Sequence, residues 1–153
     1  MRTAPALARS SRILRGVFSL LLVALWAIVP NTALAEGTDS LTIQLNKLET
    51  EGDTCRAYIV LENRSDLSFE ALRLDLVMFD VDGVIARRLA VDAAPLAAGR
   101  TSVRVFGISN LACDNIGRVL LNDVLNCADA TGERADCMDR IAPDSIAGVP
   151  FIK

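Results

Sequence analysis

Four cysteines, Cys55, Cys113, Cys127 and Cys137, are the most reactive side chains of this 153-residue sequence, which contains no histidine. Without imidazole there is no Ser-His-Asp or Cys-His catalytic system, no His-ligated zinc or copper site, and no side chain whose ordinary pKa lies near neutrality. Thiolates alone could bind zinc or exchange disulfides, but the separations of 58, 14 and 10 residues include no C-x-x-C pair. An even number of cysteines in an oxidising compartment reads instead as two disulfides. Of the three pairings, Cys127 with Cys137 is favoured, because the chain between them holds the polar stretch Asp129 to Glu133 with a Thr131-Gly132 turn. Cys55 is then left with Cys113. On the chain-entropy model the short loop contributes about 3 kcal/mol and the long one about 4.

Carboxylates form two further groups. Asp80-x-Asp82-Gly83 could supply part of a calcium site, but Gly83 would be fourth rather than sixth in an EF-hand loop and Val91 stands at the twelfth position. A hairpin turn explains those residues already. Asp129, Glu133, Asp136, Asp139 and Asp144 could pair for acid-base work or bind a divalent cation, yet Arg134 and Arg140 are interspersed among them. A solvated surface is the expected outcome, and no cofactor is expected. Arg87-Arg88 places guanidinium groups on opposite faces of one strand, one snorkelling at the sheet border and one facing water. That pair is the candidate contact for an acidic partner.

The start of the chain points to export. Arg2, Arg9, Arg12 and Arg15 precede an apolar run from Val17 to Val29, and Ala33-Leu34-Ala35 supplies the small residues that a signal peptidase reads. Residues 1–35 are therefore expected to be a cleaved signal peptide, with no Arg pair before the apolar run and hence the general secretory route into the periplasm. The run is shorter than the roughly 20 residues of a membrane span, so no stable anchor is expected after cleavage. Residues 36–153 keep 12 of the 16 basic side chains and all 19 acidic ones, a net charge of −7, which argues against nucleic acid. Trp26 lies in the leader and the remainder has one Tyr, so a sugar site built on stacked aromatics is poorly supported.

The elements that carry these residues read as strands. Leu41, Ile43 and Leu45 alternate with polar residues, as do Cys55, Ala57, Ile59 and Leu61 before the turn cluster Asn63-Arg64-Ser65-Asp66. Leu72 to Phe79 gives the clearest alternation, and Asp82-Gly83 turns it into Val84 to Val91. Asp92 to Arg100 reads as a loop, Thr101 to Ile108 and Gly117 to Val124 as strands, Ala135 to Ile141 as a short helix, and Val149 to Ile152 as an edge strand. In the Gly117 strand Leu120 blurs which face is inner. Six or seven short strands in residues 36–153 predict one all-β domain, an antiparallel immunoglobulin-like β-sandwich with a disulfide-linked C-terminal segment.

Asn63, Ser65-Asp66, the strand Leu72 to Phe79, Asp80-Val81-Asp82-Gly83, Leu96 and Gly99-Arg100-Thr101 resemble the layout of small bacterial immunoglobulin-like modules of the FxLYD type, from Cys55 to Ile108. Leu45-Asn46-Lys47-Leu48-Glu49, Cys55-Arg56-Ala57-Tyr58, Arg87-Arg88-Leu89 and Ile116 to Asp123 further resemble a family of short secreted alphaproteobacterial proteins of unknown function. These resemblances imply a sandwich fold and a location, and no activity. The expected role is non-enzymatic: a periplasmic module that binds another envelope protein, through a sheet edge or the Arg87-Arg88 face. The alternative is binding of a small ligand or divalent cation. Peptide mapping without reduction should join Cys55 to Cys113 and Cys127 to Cys137, and a peptide joining Cys55 to Cys127 or Cys137 would contradict the assignment.

Overall fold

Hydrophobic alternation becomes two facing sheets. In the computed structural model residues 41–153 are described; the signal-peptide expectation for residues 1–35 lies outside them. Strand β1 (Leu41–Glu51) turns directly into β2 (Thr54–Asn63), and β3 (Ala71–Asp80) turns into β4 (Ile85–Asp92). Then follow β5 (Thr101–Ser109), a single 3-10 turn at Cys113–Asn115, β6 (Ile116–Asp129), β7 (Gly132–Glu133), β8 (Ile141–Ser145) and β9 (Phe151–Ile152). One sheet has the order β5-β2-β1-β8; the other has β4-β3-β6-β7, with β9 also beside β6. Pairing is antiparallel except where the C-terminal strands β8 and β9 join β1 and β6 in parallel. The sandwich and its disulfide-linked C-terminal segment are as expected.

The core lies between the inward faces. Leu41, Ile43, Leu45, Ala57, Ile59 and Leu61 come from one sheet, and Leu72, Leu74, Leu76, Met78, Val119 and Leu121 from the other; all are buried. Burying a side chain of this size is worth about 1.5–3 kcal/mol against leaving it in water. Strand β6 meets β3 with three register shifts, which leave Gly117, Asn122 and Leu125 unpaired. Each extra residue reverses the side-chain phase. Val119 and Leu121 therefore face inward, Leu120 faces outward, and Val124 and Cys127 still oppose the inward Leu74 and Leu72. Gly117 is required at its bulge, because a Cβ there would come within 2.3 Å of the Asp80 carbonyl oxygen.

The segment from Ala135 to Ile141 forms turns, with no helix. Cys137 is bonded to Cys127 of β6, and Ile141 already begins β8, so only three residues connect them. The amides of Arg140 and Ile141 reach the carbonyls of Cys137 and Met138 as two tight turns. The second disulfide joins Cys55 of β2 to Cys113 in the 3-10 turn, tying the first sheet to the start of β6. Both pairings are those that the spacing favoured.

Asn63 ends β2 as a buried polar side chain. Its Nδ2 donates to the carbonyls of Leu67 at 2.7 Å and Ala97 at 3.0 Å, and its Oδ1 accepts from the Ser65 amide and hydroxyl. Buried amides are tolerated only with such complete pairing. Asn63 thereby fixes the β2–β3 loop against the β4–β5 connection.

Candidate functional site

Arg87 and Arg88 point to opposite faces, and each head is engaged within the protein. Arg87 shares its register position with the core residue Met78, so it projects inward at the sandwich border. Its Nε donates to the Ser109 carbonyl at 3.0 Å and its Nη2 to that of Asn110 at 3.3 Å, both at the end of β5. Arg88 lies on the outer face. Its Nε and Nη2 each approach a carboxylate oxygen of Asp75 at 2.8 Å, a bidentate pair. The Arg88 side chain is 63% exposed while that of Asp75 is 3% exposed. The adjacent arginines thus do not present two free guanidinium groups to a partner.

Asp75 is the most deeply buried charge of the second sheet. Besides Arg88 from β4, it accepts a hydrogen bond at 2.6 Å from Nδ2 of Asn122, the bulge residue of β6. The Arg88 hydrogen bonds hold its carboxyl below the usual carboxylate range; burial opposes them and Asn122 assists them. Three neighbouring strands converge on this carboxylate.

Of the five C-terminal acids, Asp129, Asp136 and Asp144 are also committed, whereas Glu133 and Asp139 lie apart from these contacts. Asp129 accepts from the Thr131 hydroxyl and amide and from Arg134, which hold its carboxyl down at about 2. Asp136 is bracketed by Arg134 and Arg140, and those hydrogen bonds likewise lower it to about 2. Asp144 accepts a hydrogen bond from Gln44. A surface cleft of about 270 Å³ opens beside Asp129, between residues 66–68 and 129–131, but the Asp129 oxygens facing this region are already satisfied. Among the described residues no group of three acids and cysteines is arranged to hold a metal ion.

Asp80 shapes the β3–β4 hairpin. Its Oδ1 accepts from the amides of Asp82 and Val84, and Gly83 takes the left-handed φ of +82° that the turn demands. Around this turn stand Val81, Val84 and Ile85, which are 67%, 61% and 63% exposed. The sequence reading places Val81 in the turn and Val84 and Ile85 at the start of the returning strand. The available signal was valine on both sides of Asp82-Gly83, where turns are ordinarily polar. Just behind the tip, the Arg118 guanidinium lies 4.2 Å from the centre of the Phe79 ring. The space between the sheets near Leu48, Phe106 and Phe151 is a cavity of only about 10 Å³. That is room for about one water.

Replacing Arg88 with Ala should lower the thermal midpoint at pH 7 by roughly 5–10 °C, because Asp75 would keep a buried charge with only Asn122 as partner. A carboxylate whose folded pKa is depressed stabilises the fold above its unfolded value, near 3.9, and loses that contribution as pH falls through the folded pKa. The gap between wild type and Arg88→Ala should therefore narrow from pH 7 to pH 3. Thermal melts across that range check it, and a constant gap would mean that the Asp75 charge is not involved.

No protein-family model and no curated protein matches the chain. A solved structure of IrmA from Escherichia coli is similar at 14% identity and a TM-score of 0.49, over 67% of this chain and 89% of that one.

Proposed function

We propose that this chain is an exported, non-enzymatic module of the periplasm that binds another envelope protein through the tip of its β3–β4 hairpin. The observation that carries the reading is the cluster Val81, Val84 and Ile85: three large apolar side chains within five residues, each about two-thirds in water. Scattered apolar residues on a surface are ordinary; a cluster on a projecting turn is what an interface uses. The turn itself is formed by Asp80 and Gly83, so its geometry places no demand on the valines. Asp82 stands exposed among them, and residues 36–153 carry a net charge of −7. An apolar pocket with a basic rim is the complementary partner, whereas an anionic bilayer would repel the same tip. Two disulfides support residence in an oxidising compartment.

The test immobilises the exported protein and the variant Val84→Ser/Ile85→Ser and challenges both with envelope extract. A stoichiometric partner should bind the wild type and be retained at least about tenfold less by the variant, whose midpoint should be nearly unchanged because both sites are exposed. Equal retention would remove the tip as the site. Recovery of a co-purifying small molecule and no protein would overturn the reading.

A further inference from the structure

Strands β4 and β5 each end one sheet, and each carries an arginine on its inward face. Arg87 of β4 occupies the register position of Met78, and Arg104 of β5 that of Ile59; both partners are core residues. Both arginines are half-buried. Neither points into the core. Arg87 reaches the carbonyls of Ser109 and Asn110 at the end of β5, while Arg104 donates to the Pro95 carbonyl, in the connection leaving β4, at 2.9 Å. Arg104 also donates to the Ser102 hydroxyl. The two guanidinium groups therefore link β4 and its outgoing connection to β5 at two separate places.

We infer that Arg87 and Arg104 are gatekeepers that prevent this side of the sandwich from adding a strand, above all the equivalent edge of a second copy. A strand docked on β4 or β5 would extend the inner face outward and cover a guanidinium group, removing it from water without a carboxylate to receive it. The other edges are blunted by different means. Strand β8 contains Pro143, which lacks an amide hydrogen, and β6 carries bulges at Asn122 and Leu125 in the stretch between β9 and β7. Strands β4 and β5 are edges along their whole length; β5 is regular, β4 has one bulge at Ala86 beside Arg87, and the inward charges close what remains. Removing both charges leaves two strands of eight and nine residues with unpaired backbone and an apolar inner margin.

The test is sedimentation velocity of the purified exported protein over a hundredfold concentration range. Arg87→Ala/Arg104→Ala should self-associate at least about tenfold more tightly than wild type, and Arg87→Lys/Arg104→Lys, which keeps the inward charge, should behave as wild type. A folded double-Ala variant that sediments as wild type does would overturn the inference. So would equal association of the Lys variant, because the arginine hydrogen bonds rather than the charge would then be responsible. Where near-UV circular dichroism shows the double variant unfolded, Arg87→Ala alone decides, and its unchanged sedimentation overturns the inference.

Discussion

The carboxylate of Asp75 is the point at which the second sheet is locked. It sits mid-strand on β3, whose opposite face supplies Leu72, Leu74, Leu76 and Met78 to the core. A buried charge must be paired, and the partners come from both flanking strands: Arg88 from β4 and Asn122 from β6. Asn122 can reach it because it is a bulge residue, and that bulge also resets β6 so that Val124 stays opposite Leu74. One polar contact and one core register thus depend on the same extra residue. This pair ties β4 to β3, the two strands of the hairpin.

Closure of the sandwich divides the surface into parts that can and cannot act. The β4/β5 opening is crossed by Arg87 and Arg104, and the C-terminal segment is fixed by Cys127–Cys137 and the Asp129, Arg134, Asp136, Arg140 network. The space between the sheets near Leu48, Phe106 and Phe151 has room for about one water. Among the described residues the hairpin tip gathers three of the eight exposed large apolar side chains, Val81, Val84 and Ile85. Val103 and Val105 form a second exposed apolar pair, on the outer face of β5.

Local alternation makes β2 and β3 legible, because apolar residues recur at every second position in each, although β3 also buries Asp75 and Val77 on its outer face. The disulfides were legible because separation and turn chemistry favour one pairing of the three. Strand β6 was less so: its three bulges break the period that reveals a strand, so Leu120 looked ambiguous and the run to Asp129 was missed. The turns from Ala135 to Ile141 were read as a helix because the chain there carries no alternation, and the limits set by Cys137 and β8 are tertiary. For the arginines, the split between faces followed from adjacency alone. Their partners did not, since Asp75 lies 13 residues from Arg88, and Ser109 lies 22 residues from Arg87. The apolar tip was visible in the sequence, but its exposure depends on how far the hairpin projects.

The most direct measurement is an amide chemical-shift map of the isotopically labelled protein titrated with a protein retained from envelope extract. Docking by the hairpin tip predicts shifts confined to Asp80 through Ala86 and to Ile116 through Arg118 beside it. A footprint running along β5 from Thr101 to Ser109, or centred on Arg88, with the tip unperturbed, would contradict the account.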